Sequence, residues 1–276
     1  MMNEWIISSS VLIAAVLLGR RLLRGRISLR LQYALWAVVL VRLLLPVQLF
    51  TSDYSTGSIA KTVDIAAPVQ EFYVSANADR YAQAYDDAVR QAAAQHVGVS
   101  EFVSVETIES EARVLARSSL EMDLGRLLLH IWFTGMAVMA AVIVLCNLHL
   151  SLLLKRQRRE LDVPNSLLPV YRTEAVPTPC IFGLFRPAIY LTPSAAQDDQ
   201  VRTHVLEHEL THYRHLDHIW SVLRSLCLVL HWYNPLVWFA AKVSRADAEL
   251  ACDEGTLKKL GEKARGDYGR TLIGLT

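Results

Sequence analysis

In the stretch Glu207-His208-Glu209-Leu210-Thr211-His212, two histidines stand four positions apart and a glutamate follows the first. On a helix, positions four apart share one face, one turn apart. His208 and His212 can therefore aim two imidazole nitrogens at one Zn2+. Glu209 then sits beside the ion, where it can take a proton from water. The preceding residues read as that helix. Asp198 or Asp199 can cap its start, and Val201, Val205 and Leu206 give it a buried side. A bare five-residue match arises by chance in many proteins. Here the helical context and an acidic cluster downstream add to it.

A catalytic zinc needs three protein ligands and one open position. His218, ten residues after His208, is one route to the third. It requires a sharp turn that a glycine at 215 would make, and this chain has His215. The helix is therefore expected to run on and carry His218 away. His204 and His215 share the ligand face about a turn too far up and down, and read as rim residues. The other route is a carboxylate from a second helix. In Asp247-Ala248-Glu249-Leu250-Ala251-Cys252-Asp253-Glu254, Glu249 and Asp253 are four apart and share a face. Glu249 is the expected ligand. Asp253 is expected to accept the N–H of a ligand histidine. Cys252 reads as a small buried thiol rather than a ligand.

At these residues the chain resembles the BlaR/MecR-type membrane metallopeptidases. The resemblance rests on His208 to His212 with Arg214 and Asp217, and on His231-Trp232-Tyr233-Asn234-Pro235-Leu236-Val237-Trp238. It also rests on Glu249-x-x-Cys252-Asp253 and Tyr268-Gly269-x-Thr271-Leu272. Leu35-Trp36, Arg42-Leu43-Leu44-Leu45-Pro46 and Phe182-Gly183-Leu184-Phe185-Arg186-Pro187 carry it elsewhere. Only the acidic stretch from about 51 to 125 is left out. The resemblance implies a gluzincin, with two histidines and a distant glutamate as ligands. It also implies a signal transducer in an antibiotic-response circuit, whose protease cleaves a cytoplasmic repressor or itself.

Of the 276 residues, 53% are hydrophobic, and the net charge is +1. The apolar share points to membrane segments, and the neutral balance gives no reason for direct nucleic-acid binding. The four cysteines are scattered and form no readable disulfide framework. The uncharged run from Trp5 to Leu18 is followed by Arg20, Arg21, Arg24, Arg26 and Arg30, without an acidic residue among them. It reads as a first transmembrane helix, because the charge follows the apolar run rather than preceding it. By the positive-inside rule the arginine loop is cytoplasmic and the N-terminus outside. Leu31 to Phe50 is a second span carrying one charge, Arg42, which either finds a partner or reaches the outer interface.

Thr51 to Gly125 holds 12 acidic and 5 basic residues and reads as an extracytoplasmic loop. Helical spacing marks Tyr81 to His96 and Ala112 to Leu124. Leu127 to Leu154 is a third span, followed by Lys155, Arg156, Arg158 and Arg159 on the cytoplasmic side. From Glu160 to Thr192 short β-prone runs appear, Leu168 to Tyr171 and Ala188 to Leu191. Pro179 to Phe182 lies between them, either as an edge strand able to hold an extended substrate or as an ordinary buried strand.

Ile219 to Lys242 would pass for another span. A simple crossing of roughly 30 Å would put Glu249 on the far side from His208 and His212. Asn234 can cap a returning helix and Pro235 suits its first position. A helical hairpin with its tip near Trp232 to Pro235 is therefore expected.

The expected protein is mainly α and membrane-embedded. Two transmembrane helices fall in 1–50, an acidic loop in 51–125 and a third transmembrane helix in 126–155. A small α+β, zincin-like cytoplasmic metalloprotease domain fills 156–276, with a membrane-associated helical hairpin over 219–256. Its partners are the lipid bilayer and a protein substrate. The chain stops in an apolar segment, as a piece of a longer protein or a shorter family member. No penicillin-binding domain stands within it. Two other readings share these residues: a housekeeping quality-control metalloprotease, and a non-enzymatic receptor with structural zinc. Glu209 speaks against the receptor, because a closed structural site needs no carboxylate beside an open position.

Overall fold

The uncharged start of the chain winds into α1 (Met2–Leu22), and its last turn carries Arg20 and Arg21. Two cations there meet the negative end of the helix dipole. Ser28 accepts a hydrogen bond from Leu31 N and opens α2 (Leu29–Ala34), which passes through Leu35 into α3 (Trp36–Leu44). The computed structural model describes residues 2–23, 25–45, 67–95, 105–164 and 166–274. The end of the expected second span, 46–50, and positions 51–66 and 96–104 of the acidic loop lie outside the described residues.

The chain divides into two compact units, Met1–Glu4 with Phe50–Gly135, and Trp5–Leu49 with Met136–Thr276. The first contains α4 (Ala67–Ala76), α5 (Ala78–Gln95) and the early turns of α6 (Val105–Gln157). Ala112, Ala116, Leu120 and Leu124 are buried on α6, at the four-residue spacing of one helix face. The two helical stretches expected in the acidic loop fall on α5 and on this part of α6. Glu109–Gln157 is long and apolar enough to cross a membrane, and it is the one such helix among the described residues. The third expected span lies within it.

The second unit has two packed layers. One is a four-stranded sheet in the order β1-β2-β4-β3, made of β1 (Arg159–Glu160), β2 (Val170–Arg172), β3 (Cys180–Phe182) and β4 (Ala188–Leu191). The β2–β4 pair is parallel and the outer pairs are antiparallel. The short strand β1 had no legible signal. At the other edge, among the described residues, β3 pairs with β4 alone, as expected for an edge strand over 179–182. Gly183 turns β3 toward β4 with φ at +115°, and a Cβ there would meet the Arg186 carbonyl oxygen at 2.6 Å. Only glycine fits that turn.

Ile189, Leu191 and Val170 form a buried cluster with Ala195 and Ala196 of α7 (Pro193–Gln197), and with Val205 and Leu210 of α8 (Asp199–Arg214). Asp198 caps α8 by accepting from Gln200 N and Val201 N. This helix does not run on as expected. It ends at His215, and Leu216 takes the left-handed conformation, φ 62°. A non-glycine residue there costs about 1–2 kcal/mol. The break starts α9 (Asp217–Leu230) at once.

The turn 231–234 follows, and then α10 (Pro235–Leu260) returns. Asn234 caps it by accepting from Leu236 N, with Pro235 at its first position. The turn lies against the first helices. His231 Nε2 is 3.1 Å from the Leu43 carbonyl oxygen, and Asn234 Nδ2 is 3.5 Å from Ser10 Oγ. Ile13 of α1, Trp36, Val39 and Leu43 of α3, Cys227 of α9 and Val237, Ala240 and Ala251 of α10 form one buried cluster. Arg42 hydrogen-bonds to Ser8 of α1. The chain closes with a 3-10 turn, Glu262–Ala264, and α11 (Arg265–Gly274).

The approach of α10 to α8 depends on Gly255. A Cβ at 255 would lie 2.9 Å from Thr211 Cγ2 and 3.4 Å from His215 Cε1. Thr211 is held in place, since its hydroxyl donates to the Glu207 carbonyl oxygen and accepts from Thr256 Oγ1. Gly255→Ala gains about 1 kcal/mol in helix propensity. Overpacking costs about 1–3 kcal/mol. A net loss of up to about 2 kcal/mol is expected from denaturant unfolding of the detergent-solubilised chain. A more stable variant would show that Thr211 moves aside freely.

Candidate active site and metal centre

His208 and His212 lie on one face of α8, beside the face packed on the sheet. Their Nε2 atoms lie 3.1 Å apart. Glu249, on the facing side of α10, places Oε2 at 3.3 Å from His212 Nε2 and 3.8 Å from His208 Nε2. Ligand atoms of a tetrahedral Zn2+ at about 2.05 Å stand about 3.3 Å from one another. The three measured separations bracket that value, so these residues fit the ion. Cys252 is the other metal-binding type in reach, grouped with the two histidines by proximity. It is fully buried, its Sγ lies on the Nδ1 side of His208 at 3.8 Å, and its thiol donates to the His208 carbonyl oxygen at 3.2 Å. Glu249 Oε2 stands against both Nε2 atoms, whereas Cys252 meets His208 at Nδ1 and at its carbonyl oxygen.

Both imidazoles are held from behind. His212 Nδ1 is 2.6 Å from Asp217 Oδ2. His208 Nδ1 is 2.7 Å from the Tyr268 hydroxyl, which donates to Asp253 Oδ1 at 2.7 Å. Asp253 Oδ1 also stands 3.3 Å from His208 Nδ1, so it acts on the ring both directly and through the tyrosine. With Nδ1–H donating in each ring, Nε2 is left with a lone pair facing inward. Burial works against a charged His212, yet the hydrogen bond to Asp217 and its other acid neighbours raise its pKa to about 12. His208 is likewise raised, with burial opposed by Asp253 and Cys252. Hydrogen bonds to these two histidines hold Glu249 well below the usual carboxylate range. The arrangement thus collects positive charge, protons or a dication, among three basic atoms.

Glu209 is buried, at 6% exposure. Burial raises its pKa, while His212 and His208 pull the other way. The Ile181 main chain of β3 also pulls that pKa down, and it lines the same cavity as Glu209. A cavity of about 840 Å³ opens over these groups. Its walls are 178–181 on the strand side, His208, Glu209 and His212 on α8, and Trp238, Lys242, Arg245, Glu249 and Asp253 on α10.

The structure thus brings together His208, Glu209, His212, Glu249 and Asp253. His218 borders the cavity but stacks on Tyr213, ring centroids 5.5 Å apart. His204 is not at the rim. It is buried and bonded through Nδ1 to Thr271 Oγ1 at 2.9 Å, because α11 covers that end of α8. Sequence reasoning missed Asp217 and Tyr268 as partners of His212 and His208. Both sit in stretches that carry the resemblance. Asp217 could have been found only by expecting the helix to break at Leu216.

A family model described as BlaR1 peptidase M56 matches residues 1–276. Regulatory protein BlaR1 of Bacillus licheniformis is 26% identical over 210 residues, 69% of this chain and 33% of the relative. Methicillin resistance mecR1 proteins of Staphylococcus aureus and Staphylococcus epidermidis are each 26% identical over 100 residues, 36% of this chain and 17% of theirs. The chain therefore spans about a third or less of the length of these relatives. With a family model matched from end to end, this chain belongs to the BlaR1 peptidase M56 family.

Proposed function

We propose that the chain is a membrane-embedded zinc metalloendopeptidase whose active site faces the cytoplasm and which cuts a protein substrate in transmembrane signalling. The convergence of His208 Nε2, His212 Nε2 and Glu249 Oε2 carries the chemical part of this reading. Zn2+ held there supplies Lewis acidity, which polarises a peptide carbonyl and makes water acidic near neutral pH. Glu209 accepts the proton of the water that attacks the scissile carbonyl carbon. It returns a proton to the amine nitrogen as the C–N bond breaks. The raised pKa of a buried Glu209 suits both halves of that exchange. The free edge of β3 offers main-chain groups to an extended peptide beside Glu209. Of Tyr213, His231, Tyr233 and Arg245, four possible donors to the developing oxyanion, Arg245 is the one on the cavity wall.

The proposed topology has three transmembrane helices, on α1, on α2–α3 and on α6. The arginine-rich loop 20–30 is cytoplasmic by the charge rule. Within the second unit that loop lies beside α10, the helix that carries Glu249. Arg20 contacts Asp247 at 2.7 Å, and Leu29 N donates to Glu254 at 3.0 Å. This favours a cytoplasmic site. The α9–α10 pair then enters alongside α1 and α3 and turns back, since its tip meets Leu43 and Ser10. At 14 residues, α9 spans about 21 Å, less than the roughly 30 Å of a bilayer core. The zincin-like character of the domain rests on α8 packed on the sheet with β3 at its edge. The names of the relatives, a regulatory protein and methicillin resistance proteins, support a place in antibiotic-response signalling. The substrate proposed is a cytoplasmic repressor or the protease itself.

Glu209→Gln is expected to keep bound zinc and lose cleavage by about 10²–10⁴-fold, the usual contribution of a general base. His208→Ala and His212→Ala are expected to lose both. Metal content and peptide cleavage of the purified variants check this, and a Glu209→Gln protein cutting at the unmodified rate would remove it as the base. Topology is checked with a single cysteine at position 245, the four native cysteines being replaced by serine. A membrane-impermeant thiol reagent added to intact cells is expected to leave it unlabelled and to label it after lysis. Labelling of intact cells would place Glu249 outside and end the hairpin reading.

A further inference from the structure

Asp247 is the most enclosed carboxylate of α10, 1% exposed, and its partners come from far away in the chain. Arg20 Nε of α1 stands 2.8 Å from Oδ1 and 2.7 Å from Oδ2. Gln32 Nε2 of α2 donates to Oδ1 at 3.0 Å, and Trp36 Nε1 of α3 donates to Oδ2 at 2.9 Å. Each of the first three helices thus contributes one donor, and both oxygens are occupied. Asp247 precedes Glu249 by two residues, so their side chains leave α10 about 200° apart. One points into the packet formed by α1–α3 and the other into the cavity.

A buried ion pair of this kind is a weak device for stability, because desolvation offsets most of the attraction. Its better attested use is to fix register. Here the register fixed is the rotation and height of α10 against α1–α3. A slip of one residue along the helix moves a side chain by about 1.5 Å. That distance is most of a zinc–oxygen bond of about 2.0–2.2 Å. Elsewhere along α10, Glu254 accepts a single bond from Leu29 N, and Ala248 and Ala251 meet the same packet through apolar contact.

We propose that Asp247 is the positioning residue for Glu249, and that through it the register of the first three helices sets how tightly the site holds its metal. The proposal rests on the reading of Glu249 as a zinc ligand. Arg20 keeps 30% of its side chain exposed, so the bond lies at the edge of the packet, where a displacement of α1 reaches it first. Loss of the anchor frees α10 to rotate, and Glu249 leaves the two Nε2 atoms while the histidines stay in place on α8.

The test uses the full 276-residue chain in detergent, with Asp247→Asn, Arg20→Gln, Trp36→Phe, Glu249→Gln and the packing control Leu43→Ala. Zinc affinity is read by competition with a chromophoric chelator, coordination by the visible spectrum of the Co2+-loaded protein, and stability by melting. Asp247→Asn and Arg20→Gln are expected to weaken zinc about 10–100-fold, as removal of groups that orient a ligand does. Their cobalt spectra are expected to shift toward that of Glu249→Gln. Leu43→Ala is expected to melt lower yet keep the unmodified spectrum and affinity. If Asp247→Asn does not yield folded protein, Trp36→Phe, which removes one donor and leaves the carboxylate, is expected to show a smaller shift of the same kind. Unmodified spectra and affinity in Asp247→Asn and Arg20→Gln, or in Trp36→Phe where it stands in, would reduce Asp247 to packing and overturn the proposal. An unmodified spectrum and affinity in Glu249→Gln would instead remove Glu249 from the ligand set, and the proposal with it.

Discussion

Three basic atoms held within 4 Å of one another repel unless positive charge sits among them. His208 Nε2, His212 Nε2 and Glu249 Oε2 are so held, at 3.1, 3.3 and 3.8 Å. Much of the second unit can be understood as the scaffold that enforces this crowding. The sheet supports α8 from one side, through Val205 and Leu210. Gly255 lets α10 come close from the other. Asp217 and the Tyr268–Asp253 pair turn both imidazoles so that their lone pairs meet. A site under such constraint is suited to a dication, which would relieve the repulsion when bound.

The break between α8 and α9 shows how a local cost serves this arrangement. A leucine in the left-handed region is unfavourable, and Leu216 gains no burial from it, being 49% exposed. What the turn gives is the position of Asp217, five residues after His212, at 2.6 Å from its Nδ1. In a continuous helix, positions five apart point in different directions. The strained residue and the short hydrogen bond therefore belong together, in line with strain being retained where surrounding structure and function require it.

Local patterns were legible in the sequence to the extent that their physics is local. The i, i+4 spacing of His208 and His212 and of Glu249 and Asp253 needs only a helix to become geometry. Asn234-Pro235 needs only its own cap and its own fixed φ to start α10. The apolar run from Leu127 needs only its length. Long-range partners were not legible. Tyr268 reads as one aromatic among many until α11 folds over α8. His204 shares the ligand face by spacing, and only the covering by α11 takes it into the interior. Asp247 reads as one more acid on an amphipathic helix, although its three partners are more than 200 residues away in the chain. The missing glycine at 215 misled for another reason: the backbone of Leu216 accepts a conformation that residue type disfavours.

The central claim is that two histidines and Glu249, rather than Cys252, hold the metal. X-ray absorption at the zinc edge of the metal-loaded chain addresses it directly. The account predicts two imidazole nitrogens at about 2.0–2.1 Å with oxygen neighbours and no sulfur. A sulfur scatterer at about 2.3 Å would place Cys252 on the metal and contradict the account.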